Sequence, residues 1–464
     1  MNTCPRLVIA GLGGDTGKTA VSVGLCRLWH NRGYRVTPFK KGPDYIDMEW
    51  LSRGAHHPCY NVDLFLMNKD QVLSSFCLNT RHTDIAVIEG NRGLYDGMDL
   101  EGSVSTAEIA KILQSPVVLI VDCTKVTRTV AALVMGCQTM DPAVPIKGVI
   151  LNKLAGLRHE STVRKSVEHY CTIPVVGAIP KLGNMKFPGR HLGLVPPQEH
   201  PASEEAIRRA AEIVAQHVDA DRLWEISRHA TPLDYALNDR PLDAEKTVKI
   251  GIIRDTAFQF YYPENLDALK RAGADLIEFS ALTDTLPPSL HALYIGGGFP
   301  ETHAPALSEN AALRHGIKSA AEKGLPIYAE CGGLMYLSRE LVVDGRAYPM
   351  VNILPAEIGV SKKPRGHGYT LLEVSQPNPF FSTGKKLRGH EFHYSFLRSL
   401  DRDNQCNFAF SVMKGEGIAD GKEGLHCWHV LATYSHIHAL GTPEWAQGMI
   451  RAGCAYQKRN LSLN

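Results

Sequence analysis

Short runs of aliphatic and β-branched residues recur through the first half of the chain, at 7–10, 35–39, 85–89, 117–121, 149–151 and 175–179. Within each run the residues are apolar at successive positions, not alternate ones. Strands of that kind are buried on both faces, which predicts a parallel sheet with crossover helices. The rhythm fades after Val218. The stretch EISRHATPLDYALNDRPLDAEK is polar, carries two prolines and leads into a fresh apolar run at 248–253. It reads as a linker. Further runs follow at 275–279, 292–295 and 326–329, and the glycine-rich tract from 345 to 424 predicts hairpins and loops. The pattern predicts two α/β domains, residues 1–225 and 247–464, joined by a linker at 226–246.

Length supports that division, because 464 residues exceed one ordinary hydrophobic core. A net charge of +2 gives no strong field to draw the chain to nucleic acid or anionic lipid, so neither partner is expected. The eleven cysteines are odd in number and contain no C-x-x-C pair. That predicts reduced thiols rather than a disulfide framework or a zinc ribbon, as in cytoplasm. The apolar run in MNTCPRLVIAG is too short for a signal peptide, and no apolar stretch approaches bilayer length. A cytoplasmic, membrane-free protein is expected.

Two segments carry chemistry. Residues 11–19 read GLGGDTGKT between a strand and a helix-forming stretch at 20–30. Gly13, Gly14 and Gly17 let backbone N–H groups turn towards an anion, Lys18 is placed for the β- and γ-phosphates of ATP, and Thr19 for Mg²⁺. Leu12 stands where the strict motif has its first glycine. Magnesium also needs carboxylates. Asp44, in FKKGPDYID, and Glu89, closing a strand, are the candidates, with Asp122 behind them. Lys40, Lys41 and Arg92 lie beside this centre, either to hold an acidic substrate or as a solvated surface.

The second segment is PIYAECGG, a short strand running into Cys331 and then into LMYLSREL, read as helix. A sharp strand-to-helix turn exposes a nucleophile, and the helix N-terminus favours a thiolate. Upstream, IGGGFPE offers the N–H groups of Gly297 and Gly298, which with Gly332 can form an oxyanion hole. A thiolate needs a base. His436 in TYSHIH is the choice and His438 the reserve. His191, His367, His390 and His393 receive no metal role.

These blocks, with GLYDG, HLGLVP, GGGFPE, AECGGLMYL and RGHEFHYS, stand in the order of a known family. They resemble the cobyrinate a,c-diamide synthases and their relatives, which amidate acetate side chains of tetrapyrroles. The resemblance implies an N-terminal P-loop domain of dethiobiotin-synthetase-like fold that phosphorylates a carboxylate, using ATP and Mg²⁺. It implies a C-terminal class I (triad-type) glutamine amidotransferase domain. Lys18 and Thr19 would then bind phosphate and metal, Asp44 and Glu89 metal, and Asn152 adenine. Cys331 and His436 would release ammonia from glutamine as a dyad, since His438 stands where the triad glutamate usually does. Lys41, Asn91 and Arg92 depart from the cobyrinate pattern and look like the branch thought to amidate sirohaem or its precursor. The partners implied are glutamine and an acidic tetrapyrrole, cobyrinate or sirohaem/sirohydrochlorin, with a homodimer as a further option. The rival is a P-loop ATPase switch with a regulatory amidotransferase-like domain. It is disfavoured because Gly13 occupies the region of that class's early lysine and because Cys331 is present.

Overall fold

The computed structural model describes residues 2–182, 189–190, 193–194, 196–198, 200, 202–235, 248–401 and 406–461. The chain forms two compact units that divide at Asp239/Arg240. In the first, seven strands form one parallel sheet: β1 (Arg6–Gly11), β2 (Val36–Lys41), β3 (Tyr60–Val62), β4 (Ile85–Glu89), β5 (Val117–Asp122), β6 (Ile146–Leu154) and β7 (Val175–Pro180). Their order is β3-β2-β4-β1-β5-β6-β7. β1 lies between β4 and β5: the crossover from β1 to β2 runs to one side of it and the crossover from β4 to β5 to the other. The crevice at its carboxyl end is where open α/β sheets bind ligands. Helix α1 (Lys18–Asn31) follows β1, and α2 (Ile46–Ala55) follows β2.

Three local differences from the sequence reading matter. β2 runs two residues beyond 39, which makes Lys40 and Lys41 buried strand residues. A helix spans Ala220–Arg228 across the expected boundary at 225. Leu233 then bridges to Asn2, and the buried Arg6 guanidinium donates to the carbonyl of Thr231, so residues 226–235 belong to the first unit. Residues 236–246 of the expected linker lie outside the described residues.

The second unit holds a ten-stranded mixed sheet. Five parallel strands come first, in the order Ala274–Phe279, Val248–Ile253, Ala292–Ile295, Ile327–Glu330 and Val430–Thr433. The tract predicted as hairpins adds antiparallel strands: Lys422–Cys427, Cys406–Lys414, Gly366–Val374 and Lys386–His393. His436–Ile437 closes the order against Lys386–His393. The helix after Cys331 stops at Leu337, and Ser338–Val343 is a strand of a separate four-stranded sheet, so SREL is not helical.

The thiol expectation fails at one pair: Cys406 and Cys427 are joined by a disulfide. They are direct partners in the 406–427 hairpin with Cα atoms 4.4 Å apart, a spacing that sheet pairing imposes and spacing along the chain does not reveal. Among the described residues no helix is long and apolar enough to cross a membrane.

Candidate functional site

The loop after β1 is shaped by glycine where contact requires it. Gly17 has φ +98°, and a Cβ there would lie 2.3 Å from Asn152 Nδ2. α1 begins at the next residue, so its N-terminal N–H groups face the loop. Gly13 and Gly14 border open space. Lys18 Nζ donates to the carbonyls of Gly13 at 2.7 Å and Arg92 at 2.9 Å, and burial lowers its pKa. Asn152, expected at adenine, braces the loop. Its Nδ2 donates to Thr16 O at 2.8 Å and its Oδ1 accepts from Lys153 N–H at 2.8 Å. Asp122 is ion-paired with Lys153 at 2.6 Å.

Beside the loop, Thr19 Oγ1 donates to Glu89 Oε1 at 2.9 Å and lies 3.5 Å from Asp47 Oδ2. Lys40 Nζ sits among these acids, 2.6 Å from Glu89 Oε1, 2.7 Å from Asp47 Oδ2 and 3.9 Å from Asp44 Oδ2. Asp47 is therefore a member of the centre that sequence reasoning missed. Asp44 sits at its edge, and its Oδ1 accepts the Asp47 N–H at 2.9 Å, which fixes the turn into α2. The spacing D-Y-I-D was the available signal, since an aspartate just before a helix can accept the N–H of the residue three on and so hold both acids at one turn.

Burial shapes this cluster. It pushes Asp44 up to about 7, with Asp47 adding to the rise, and it raises Glu89. For Asp47 burial opposes ionisation, but the Lys40 ammonium outweighs it and holds the carboxyl below its usual range. Lys40 is likewise desolvated, yet Asp47 and Glu89 keep it well above the ordinary lysine value. Lys40 is only 2% exposed, and its charge is directed into the acid cluster. Lys41 is also buried, and burial lowers its pKa. Arg92 alone of the three basic candidates is exposed.

Two carboxylates and a hydroxyl around a cationic group form a donor set that suits Mg²⁺, which keeps waters and takes phosphate oxygens as its other ligands. Glu89 Oε2 is buried and accepts no hydrogen bond, leaving a lone oxygen for such an ion.

In the second unit Cys331 sits on the predicted turn, with φ 47° and ψ −97°. For a residue with a side chain this is a strained backbone. Its N–H donates to Thr433 O at 2.7 Å, which ties the turn to the strand before the histidine. The flanking glycines permit close packing. A Cβ on Gly332 would lie 3.1 Å from Gly298 N, and one on Gly333 would lie 2.6 Å from Ile295 O. A Cβ on Gly297 would lie 2.5 Å from His436 Cε1. Cys331, Gly332, Gly297, Gly298 and His436 thus meet in one place.

The thiol does not follow the sequence expectation of a helix-favoured thiolate. Burial raises its pKa strongly, with Glu301 adding to the rise, and the helix behind it has only six residues. A base must take the proton. His438 does not share the place, since it is fully buried with Nε2 3.7 Å from Glu264 Oε1. His390 stacks on His436 at 5.0 Å, and burial lowers its pKa. His393 stacks on Tyr434 at 3.8 Å, His367 lies against Phe392, and His191 falls outside the described residues.

Comparison with known proteins places both units. Residues 7–195 match the CobQ/CobB/MinD/ParA nucleotide binding domain, and residues 249–444 the CobB/CobQ-like glutamine amidotransferase domain. A cobyrinate a,c-diamide synthase of Magnetococcus marinus is 41% identical over 455 residues, covering 96% of this chain and 97% of that protein. One from Archaeoglobus fulgidus is 41% identical over 449 residues, with 96% and 97% covered. One from Listeria innocua is 36% identical over 450 residues, with 97% and 99% covered. With both domains matched and this identity sustained from end to end, the chain belongs to the cobyrinate a,c-diamide synthase family, ligases that build amides with nitrogen from glutamine.

Proposed function

We propose that this protein amidates peripheral acetate carboxylates, of the a,c type, on an acidic tetrapyrrole, driven by ATP and supplied with ammonia from glutamine. The observation that carries the reading is the meeting of Cys331, His436 and the Gly297–Gly298 turn in one unit, on a chain whose other unit has a phosphate loop. In the glutaminase step His436 takes the Cys331 proton, and the sulfur attacks the side-chain carbonyl of glutamine. The N–H groups of Gly297, Gly298 and Gly332 support the oxyanion. His436 returns the proton to the departing ammonia, and water releases glutamate from the thioester.

In the first unit a substrate carboxylate takes the γ-phosphoryl group of ATP. Oxide is a hopeless leaving group, whereas phosphate leaves readily when ammonia attacks the acyl phosphate. Lys18 and the loop N–H groups hold the phosphates in line. Thr19, Asp47 and Glu89 would hold Mg²⁺, which when bound neutralises charge on the transferring group. With Lys40 held by acids, Arg92 and the edge of the loop are left to meet the substrate's carboxylates.

The relatives' names favour cobyrinate as substrate. Sirohaem stands as a second reading because Asn91 packs on the Gly42 turn, 2.6 Å from where a Gly42 Cβ would lie, next to Lys41. Lys41 and Asn91, with Arg92, are the positions that depart from the cobyrinate pattern. A paired assay tests the division of labour. Cys331→Ala abolishes glutamine-driven amidation and spares ammonia-driven amidation, while Lys18→Ala abolishes both. Glutamine use that survives Cys331→Ala refutes the glutaminase assignment. Incubation with ATP, glutamine and either cobyrinate or sirohaem, read by mass spectrometry for replacement of hydroxyl by amino groups, decides the substrate. Amidation of neither removes the tetrapyrrole assignment.

A further inference from the structure

Glu330 precedes the nucleophile, but strand alternation sends its side chain to the opposite face from Cys331, together with Tyr328. It is fully buried. Its Oε1 accepts from Tyr328 Oη at 3.2 Å and from the Ile437 N–H at 3.1 Å, and its Oε2 accepts from Tyr294 Oη at 2.9 Å. All three donors are neutral. A buried carboxylate is costly unless a cationic group faces it. The same Oε2 lies 3.6 Å from Nδ1 of His436, the ring that becomes cationic when it takes a proton from Cys331.

We infer that Glu330 is the positioning acid of the glutaminase site. It performs the task of the triad glutamate from the residue before the nucleophile instead of the second residue after the histidine. That later position holds His438, which faces Glu264 instead. The inference rests on the reading of Cys331 and His436 as the glutaminase pair.

The geometry fits the role in three respects. Nδ1–H directed at Glu330 leaves Nε2 as the basic nitrogen, which lies 3.3 Å from the Cβ position of Gly297, while a Cβ on Gly332 would lie 3.4 Å from the carbonyl carbon of that same Gly297. The carboxylate is pinned from two strands and from the backbone next to the histidine itself, so it cannot follow the ring. It therefore orients the ring. The His436 to Glu330 separation exceeds a closed hydrogen bond, and contacts of this kind shorten in the substrate complex. The proton path is balanced: Cys331 Sγ loses a proton to Nε2, the imidazolium is steadied by Glu330, and the proton leaves on ammonia.

The test uses the full chain with ATP and its acceptor, comparing glutamine-driven with ammonia-driven amidation in each preparation. The ammonia-driven reaction bypasses this site and reports folding. Glu330→Gln lowers glutamine-driven kcat by about 10²-fold or more while KM for glutamine stays within about threefold, the signature of lost orientation rather than lost binding. His436→Ala abolishes glutamine use. A normal kcat for Glu330→Gln beside an inactive His436→Ala overturns the role of Glu330 alone. An active His436→Ala overturns the pair and this inference with it. Should Glu330→Gln lose both reactions through misfolding, Tyr294→Phe decides. Removing one pin lowers glutamine-driven kcat by about 3- to 10-fold at constant KM, and an unchanged kcat overturns the proposal.

Discussion

A single methyl group at Gly297 should separate the two nitrogen sources. In Gly297→Ala the new Cβ would stand 2.5 Å from His436 Cε1 and 3.3 Å from Phe260 Cδ2. Carbon atoms rest at about 3.5–4.0 Å, so the ring must move or turn by roughly 1 Å. It has little room. His436 is 2% exposed, its ring is stacked on His390, and its backbone pairs with His390 across the sheet. Overpacking of this kind costs about 1–3 kcal/mol in stability, which a domain of this size survives. The catalytic cost is larger, because a displacement of about 1 Å in a reacting group lowers rate by roughly 10²-fold.

The assay is amidation driven by glutamine and, separately, by ammonium at saturating concentration. The expected result for Gly297→Ala is a fall of about 10²-fold in glutamine-driven kcat with the ammonia-driven rate within about twofold of the parent. Full glutamine-driven activity in a folded variant would refute the placement of His436 against the Gly297 turn. A loss of both reactions would mean that the methyl group damages the fold instead of the site.

Two further outcomes follow from acidic residues, one in each unit. Asp47→Asn should raise the Mg²⁺ concentration for half-maximal amidation by about tenfold or more, for either nitrogen source, whereas Asp44→Asn should shift it less. A larger effect at Asp44 would return the metal role to the residue first suggested by sequence. Glu423 is fully buried, and burial pushes its carboxyl from 4.5 up to about 7. Between those values the folded chain holds a proton that the unfolded chain has lost, so stability falls as pH rises through the window. The cost reaches about 3 kcal/mol above it. Glu423→Gln should remove that slope, measured as hydrogen-exchange protection of peptides spanning 422–437 at pH 5 and pH 8; an undiminished slope would exclude Glu423 as its source.

The parallel sheet of the first unit was legible because each strand is apolar on both faces, a pattern that few other environments accept. The phosphate loop and the cysteine turn were legible because glycine is needed there for reasons visible in one dimension: Gly17 has a left-handed backbone, and Gly332 and Gly333 pack against backbone atoms. The disulfide was not legible. Cys406 and Cys427 are 21 residues apart, and only hairpin register makes them partners. The end of β2 was misplaced because lysines argue for solvent, yet Lys40 and Lys41 continue the strand with their charges buried. A lysine in that setting demands acids, and the acids were in the sequence. Asp47 lies seven residues on, and Glu89 ends the neighbouring strand in register with Lys40.

Glu330 carries the same lesson further. Its strand reads IYAE with all four residues buried, and a carboxylate in such a strand is as conspicuous as a lysine in β2. A motif-led reading passes over it, because the family pattern locates the triad acid after the histidine and finds His438 there. A reading led by desolvation asks instead which buried group needs a cation and which cation is missing an acid. Applied to PIYAECGG, that question singles out Glu330, buried at the end of its strand. Applied to TYSHIH, it asks what will steady the imidazolium. The two answers coincide only because the strand ending at Thr433 runs parallel to the strand ending at Glu330, partner to partner, which delivers the histidine three residues later beside the acid. The sheet, and no spacing along the chain, makes the pair.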